Sequence, residues 1–366
     1  SDLISVGPFD NFKPNDKINI AFAFILGKKN DDGNPNATNS SLQKENFISN
    51  AEWAQVAYNG EDINFNGILD EGEDRDGNGE ITRFILPSPP NAPRVKVIPG
   101  DHQIDLYWSK NSENSIDPIT QELDFEGYRI YLSKLGFDVT GAQDLSSDFI
   151  RVAEFDIQGN GLFYETGMEN IRLSEPIYFS GDSIAYQYHH KIENLPNGWQ
   201  HAVAITAFDR GNDATKLESL ESSFLANDAR AFTGTLPSIS MKKHPPYVYP
   251  NPYYAGASWE GQSNFQEESR KIIFANLPAR CEVTITSPAG DVLDQFFHNQ
   301  DYSGSDTRWF QSFSGEEINN IKFSGGEHSW DLLTNQNQIL SRGIYLFSVR
   351  NIESGEFYTG QFTVLK

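Results

Sequence analysis

The chain has 366 residues, of which 38% are hydrophobic and 13% aromatic, and its formal net charge is −23. Hydrophobic cores tend to split into units of roughly 100–200 residues, so the length predicts two or three modules. Many Gly, Pro and aromatic residues favour short strands joined by turns. The acidic charge argues against nucleic acid as a partner, since Lys and Arg must neutralise its phosphates. The longest apolar run, residues 20–26, is shorter than the ~20 residues that a membrane span needs.

Residues 1–60 are predicted to be the C-terminal remnant of an upstream β domain, followed by one helix. Apolar runs at 3–6 and 18–26 flank turn residues, which indicates two strands of a hairpin. Apolar residues recur at mostly helical spacing across 42–58, which predicts the helix.

Residues 61–86 form an acidic segment, rich in Asn and Gly, that matches a calcium-binding loop. A twelve-position pattern of the EF-hand type begins at Asp62 and has Gly67 at its sharp turn. Calcium takes six to eight hard oxygen ligands in a flexible cage. Two Asn in place of Asp lower the ligand charge, so the dissociation constant is expected in the extracellular range of ~0.1–1 mM. One expected ligand is the backbone carbonyl of Ile68. The others are the side chains of Asp62, Asn64, Asn66, Asp70 and Glu73.

A second loop follows at once, with oxygen donors Asp74, Asp76 and Asn78 at positions 1, 3 and 5. Position 12 is Ile85, so the closing carboxylate must come from elsewhere, and Glu80 is the local candidate. The plain alternative for both loops is an acidic turn region that binds no metal. Tandem loops without intervening helices resemble the calcium loops of dockerins and of thrombospondin type 3 repeats. That resemblance implies structural rather than signalling calcium.

A Pro-rich stretch, 87–93, predicts an extended linker. Strand-length apolar or alternating runs then predict a β-sandwich at 94–235. Trp108, a Gly-Tyr-Arg-Ile-Tyr run at 127–131 and a Leu-Pro-Asn-Gly turn at 195–198 occur in an order that resembles a fibronectin type III domain. The resemblance implies that Trp108 packs in the core.

A second predicted linker, 236–246, leads to another predicted sandwich at 247–366. Seven short motifs occur there in order. The first four are Tyr-Pro-Asn-Pro at 249–252, Ile-Ile-Phe-Ala-Asn-Leu-Pro at 272–278, Val-Thr-Ile at 283–285 and Gly-Asp-Val-Leu at 290–293. The last three are Trp-Asp at 330–331, Ser-Arg-Gly-Ile-Tyr at 341–345 and a Gly-x-Phe-x-Val-x-Lys end. Together they resemble the C-terminal sorting domain of type IX secretion substrates. A polar insertion at 299–326 departs from that family.

The resemblance implies an extracellular or cell-surface location. The implied partners are the type IX secretion machinery and cell-surface components. Other copies or subunits of a surface assembly are further candidates.

The sequence contains no recognisable catalytic set. Its seven histidines are scattered, and no zinc-protease, nucleophile-elbow or phosphate-loop motif occurs. His189 and His190 are neighbours on a predicted strand, so their side chains should point to opposite faces and share no metal. The chain is therefore predicted not to be an enzyme. Cys281 is expected to be a small buried hydrophobe.

Two other interpretations stay open. The modules would also suit the accessory C-terminal tail of an extracellular enzyme, such as a glycoside hydrolase or peptidase, with its catalytic domain upstream. A carbohydrate-binding role would require a contiguous platform of exposed aromatic side chains, for which the candidates are Tyr253, Tyr254, Trp259, Trp309 and Phe310.

The sequence thus predicts an all-β protein: tandem immunoglobulin-like or fibronectin-like β-sandwiches with a short N-terminal β/helix remnant and a calcium-loop linker. The predicted function is that of a non-catalytic, calcium-binding structural or adhesive part of a secreted or cell-surface bacterial protein. Its C-terminal module is predicted to serve export and attachment. Calcium is expected to stiffen the segment that precedes the fibronectin-like module.

Overall fold

The computed structural model divides the chain into two compact units, residues 1–87 and 88–366. The predicted strand at 3–6 lies outside the residues that the structure describes, as do Trp259, Trp309 and Phe310. The described residues are 7–11, 13–18, 20–30, 40–118, 121–134, 149–211, 217–254, 270–304 and 321–365.

The first unit contains the predicted helix, α1, at Glu45–Asn59. It ends at Gly60, whose φ of +60° turns the chain and whose N–H donates to the carbonyl of Val56 at 3.0 Å. Within the described part of 18–26 the prediction of a strand is wrong, because no ladder forms there. Phe24 in this segment is fully exposed. An alternating apolar segment becomes a strand only when a neighbouring strand pairs with its backbone groups.

Eight strands precede residue 233 in the second unit. They are β1 Val95–Gly100, β2 Gln103–Trp108, β3 Phe125–Lys134, β4 Ile150–Asp156, β5 Arg172–Ile177, β6 Tyr186–Glu193, β7 Gln200–Asp209 and β8 Ala229–Phe232. Short 3₁₀ turns lie at Asn111–Asn114 and Phe224–Ala226.

Eight more strands follow in the same unit. They are β9 Tyr247–Tyr249, β10 Ile272–Ala275, β11 Arg280–Thr286, β12 Val292–Asn299, β13 Ile321–Phe323, β14 His328–Trp330, β15 Gly343–Asn351 and β16 Phe357–Val364. In the described part of the chain no helix is long and apolar enough to cross a membrane.

The first sandwich packs a sheet of order β1-β2-β6-β5 against a sheet of order β13-β8-β7-β3-β4. Trp108 on β2 is fully buried between them and stacks on Tyr188 of β6, with ring centroids 5.6 Å apart. Strands β1 to β8 pair antiparallel within their sheets, and two such sheets around one alternating core form an immunoglobulin-like arrangement. The predicted all-β class is therefore confirmed.

The second sandwich packs β14-β10-β9 against β12-β11-β15-β16. Phe274, Phe347 and Phe362 fill its core together with Cys281, which is fully buried. Burial raises the pKa of the Cys281 thiol to about 12, so the side chain acts there as an inert apolar group.

Strand β13 joins the two sandwiches. It comes from the polar insertion at 299–326, yet it pairs in parallel with β8 of the first sandwich, and Phe323 stacks on Phe232 with centroids 5.1 Å apart. Met241, inside the predicted linker 236–246, is buried in the second core. The predicted linker 87–93 also packs, since the N–H of Asn91 donates to Ser115 Oγ at 2.8 Å. These three segments are therefore held by tertiary contacts.

Candidate metal centre

The segment after α1 is a tandem repeat of twelve residues, 61–72 followed by 73–84. The repeat is conformational as well as sequential, because equivalent positions share unusual backbone angles. Phe65 and Gly77 have φ of +63° and +71°, and Gly67 and Gly79 have +78° and +76°. Left-handed backbone is routine only for glycine, so the three glycines suit these turns.

The aspartate at position 1 folds each loop around its own carboxylate. Asp62 Oδ1 accepts the N–H of Asn66 at 3.0 Å, and its Oδ2 accepts the N–H of Gly67 at 2.8 Å. In the second loop, Asp74 Oδ1 accepts the N–H of Asn78 and its Oδ2 accepts that of Gly79, each at 3.1 Å. All four bonds join residues four or five positions apart, which explains why the sequence pattern alone identifies these turns.

Positions 3, 5 and 9 converge in the first loop. Asp70 Oδ2 accepts one N–H from the side chain of Asn64 and one from that of Asn66, each at 2.7 Å. These two bonds hold the pKa of the Asp70 carboxyl below its usual value. Asn66 Oδ1 accepts the N–H of Ile68, the predicted carbonyl donor, at 2.7 Å.

The second loop repeats this arrangement with a threonine at position 9. Thr82 Oγ1 donates to Asp76 Oδ2 at 2.7 Å and lies 3.0 Å from Asn78 Nδ2. Asn78 Oδ1 accepts the N–H of Glu80 at 2.6 Å, as Asn66 does for Ile68. Glu80 therefore stands at the position of the carbonyl donor, and it is exposed.

Glu73 closes the first loop. Its Oε1 accepts the N–H groups of Ile63 and Asn64 at 3.0 and 3.3 Å, and its Oε2 accepts that of Asp70 at 2.9 Å. The side chain is nearly buried, at 6% exposed. Position 12 thus folds back onto positions 2, 3 and 9 of its own loop.

Glu61 closes the second loop in the same way. Its Oε1 accepts the N–H groups of Arg75 and Asp76 at 2.9 and 3.3 Å, and its Oε2 accepts that of Thr82 at 2.9 Å. These donors lie twelve residues beyond the partners of Glu73. One oxygen each from Glu61, Asp74 and Asp76 lie within 4.8 Å of one another. Glu61 therefore takes the role that a glutamate at position 12 has in an ordinary loop, a position that Ile85 occupies in this chain.

Sequence reasoning missed Glu61 because it began each loop at the aspartate. The available signal was the Glu-Asp pair that precedes both loops, at 61–62 and again at 73–74. Every predicted ligand of the first loop lies in one turn system, and so do Asp74, Asp76 and Asn78 of the second.

The donor chemistry fits a hard divalent cation. Each loop gathers three carboxylates with side-chain or backbone oxygens, and neither contains a thiolate or an imidazole. Such all-oxygen sets suit calcium, whose flexible coordination tolerates irregular turns. Asp62, Glu61 and Glu73 are the buried members, and the remaining donors are partly or fully exposed.

The histidine pair shares no site. His189 Nε2 lies 2.8 Å from Asp105 Oδ1, whereas His190 packs edge-on against Phe155. Burial, with the neighbouring His189, lowers the pKa of His190. Among the proposed sugar-stacking residues that the structure describes, Tyr253 is buried and only Tyr254 is well exposed. A contiguous platform therefore does not form from these two.

Comparisons with known proteins leave the family open. No model of a protein family matches the sequence, and no curated protein does. Among solved structures, PorZ, a surface component of the type IX secretion system of Porphyromonas gingivalis, is 20% identical over 35% of this chain and 12% of its own, with a TM-score of 0.22. The chain thus spans about an eighth of PorZ.

Two fibronectin arrays are also similar. The FN1–FN3 domains of chicken CNTN1 are 11% identical over 76% of this chain and 67% of theirs, with a TM-score of 0.19. The central fibronectin-III array of RIM-binding protein is 9% identical over 77% and 69%, with a TM-score of 0.21. At these scores no argument about function follows, and the fold rests on the strand order given above.

Proposed function

We propose that this chain is a non-catalytic, calcium-binding structural part of a secreted or cell-surface bacterial protein. The observation that carries the proposal is the reciprocal pair Glu61 and Glu73, which complete two equivalent oxygen-lined loops. Calcium would be held by the five side chains and the carbonyl of the first loop. In the second loop Glu61 would act together with Asp74, Asp76 and Asn78.

The two proposed sites are linked through the backbone. Glu61 closes the second loop while the adjacent Asp62 opens the first, and Glu73 closes the first while Asp74 opens the second. Residues 61 and 62 are adjacent but serve different loops, and the same holds for residues 73 and 74. A cation bound in one loop therefore restricts the position of a ligand of the other loop. Without a cation the carboxylates repel one another, because like charges at close range are unfavourable. We expect the two ions to bind with positive cooperativity.

The effect of calcium would be local. Binding to the folded form alone stabilises by RT ln(1 + [L]/Kd), so a site with a Kd of ~0.1 mM in ~1 mM calcium contributes about 1.4 kcal/mol. That amount orders a segment rich in turns but does not fold a domain. The proposed role is to stiffen residues 61–86, which precede the first sandwich in the chain.

Calcium titration of the full chain, stripped with chelator, tests the proposal. About two bound ions are expected by isothermal titration calorimetry. A D62N/D74N variant should bind none with comparable affinity. E71Q changes an exposed position of the first loop that is not among the proposed ligands, so it should behave as wild type. Undiminished binding by the double variant would refute the assignment.

The second sandwich is proposed to be an export and attachment module of the type IX secretion type, with the secretion machinery and cell-surface components as partners. Its ordered motifs support the proposal. The Tyr-Pro-Asn-Pro motif ends beside the last strand, where Asn251 Oδ1 accepts the N–H of Thr363 at 3.1 Å and Tyr253 N–H donates to the carbonyl of Thr363 at 2.8 Å.

Export from a bacterium with an intact type IX system tests this part. The full chain, fused behind a signal peptide that the host exports to its periplasm, should reach the cell surface or the medium, and a version that stops at residue 246 should stay in the periplasm. A D62N/D74N chain should still be exported. Surface delivery of the truncated version would overturn the proposed export role.

A further inference from the structure

A buried carboxyl group lies where the two sandwiches meet. Glu327, just before β14, is 6% exposed. Its Oε1 accepts the N–H of Thr235, which follows β8 of the first sandwich, at 2.8 Å. Its Oε2 accepts the hydroxyl proton of Tyr249, at the end of β9 in the second sandwich, at 2.7 Å. One side chain thus ties a residue of each sandwich.

The surrounding junction is tightly built. Gly326 N–H donates to the carbonyl of Thr235 at 3.0 Å, and Thr235 Oγ1 accepts the N–H of Asn276 at 2.9 Å. A Cβ on Gly234 would lie 2.2 Å from Glu327 Oε2, so only glycine leaves space for the carboxyl group there. The carboxyl group therefore cannot enter water unless the segment that carries Gly234 and Thr235 separates from the segment that carries Glu327.

The charges around Glu327 do not favour its ionised form. In the described part of the chain no Lys, Arg or His forms an ion pair with it. Within the described ranges, Asp101, Tyr247 and Tyr249 interact electrostatically with it. Burial, together with the charge of Asp101, raises the pKa of Glu327 to about 7, while the bonds from Thr235 and Tyr249 partly oppose this rise.

We propose that Glu327 is a proton-controlled clasp that holds the two sandwiches together more firmly in mildly acidic than in neutral solution. When the junction opens, the carboxyl group enters water and its pKa falls toward about 4.3, the value of free Glu. Between that value and 7 the closed junction retains a proton that the open one releases. The opening equilibrium therefore rises with pH through this window, by at most tenfold per pH unit, and levels off above it.

Hydrogen exchange of the full chain in constant calcium tests the clasp. The amides of Thr235, Gly326 and Leu277 report on the junction, and their rates are corrected for the intrinsic pH dependence of exchange. Wild-type protection should fall by roughly tenfold per unit between pH 5.5 and 6.5. E327Q, which carries no titratable proton, should show no such fall, and E353Q, at an exposed position, should match wild type. Equal pH dependence in E327Q and wild type would refute the proposal.

A second variant guards against failure of E327Q to fold. Asp101 has a well-exposed side chain, so D101N should fold normally. Loss of its charge lowers the pKa of Glu327 in the closed junction, so the fall in protection should level off at a lower pH than in wild type. An unshifted profile in D101N, with E327Q unfolded, would also count against the clasp.

Discussion

Glu61 and Glu73 accept equivalent sets of three backbone hydrogen bonds, with lengths that agree to within 0.1 Å. Each donor to Glu61 lies twelve residues after the corresponding donor to Glu73. Each glutamate also precedes the aspartate that opens the other loop. The first loop is therefore closed by its own last residue, whereas the second is closed by the residue that precedes the first.

Replacing Glu61 by Gln should remove one of the two calcium ions and weaken the other. The amide keeps the shape of the side chain but supplies one neutral oxygen in place of a bidentate carboxylate, so affinity for the second loop should fall by at least about tenfold. Calcium titration of E61Q, beside E71Q as the exposed control, measures this. Two ions of unchanged affinity in E61Q would show that the second loop is closed by another group.

Adding a glutamate at the ordinary position 12 should not restore the lost ion. Glu61 N–H donates to the carbonyl of Thr82 at 3.0 Å, as Glu73 N–H donates to that of Asp70 at 3.1 Å. The chain beyond Thr82 thus departs from the loop, and Arg83 extends to the carbonyl of Tyr58. An E61Q/I85E protein should still bind one ion in the same titration. Recovery of two ions would mean that the loop closes locally, as in an ordinary EF-hand.

Chelation should loosen residues 60–86 and leave the second sandwich intact. Few apolar groups hold the loops, and Ile63, Phe65 and Ile68 are all more than half exposed. The second sandwich has its own core. Protease cleavage mapped by mass spectrometry should therefore appear first within 60–86 when calcium is removed, while the melting of 247–366 stays unchanged. Full protection of 60–86, or loss of cooperative melting in the second sandwich, would rule out a purely local role.

Replacing Asn251 by Ala should destabilise the last strand. Asn251 Oδ1 accepts the N–H of Thr363, and its Nδ2 donates to the carbonyl of Gln361 at 3.3 Å, so one side chain bonds twice to the outer edge of β16. The loss of these bonds should lower the free energy of unfolding by about 1–2 kcal/mol. Urea denaturation of N251A measures the change, with Q336A at an exposed loop position as the control. A change below about 0.5 kcal/mol, the size of an ordinary surface substitution, would remove this role from the motif.

The sequence by itself determined the all-β class, helix α1, the burial of Trp108 and Cys281, and the turns that begin at Asp62 and Asp74. The burial of Trp108 was implied by the resemblance to fibronectin type III domains. The other features depend on local periodicity, on residue type or on hydrogen bonds between residues four or five positions apart, such as Asp62 with Asn66 and Gly67. Such bonds form wherever the local residue types allow, so a pattern in the chain suffices to predict them.

Tertiary structure alone decided the closure of the second loop, the pairing of β13 and the position of Glu327. Glu61 reaches Thr82 across 21 residues, and Glu327 reaches Thr235 across 92. Strand β13 pairs with β8 although its neighbours in sequence belong to the second sandwich. The segment at 18–26 has the strand pattern but pairs with no described strand. Long-range partners are selected by which surfaces and backbone groups remain unsatisfied after local structure has formed, and no window of sequence contains that information.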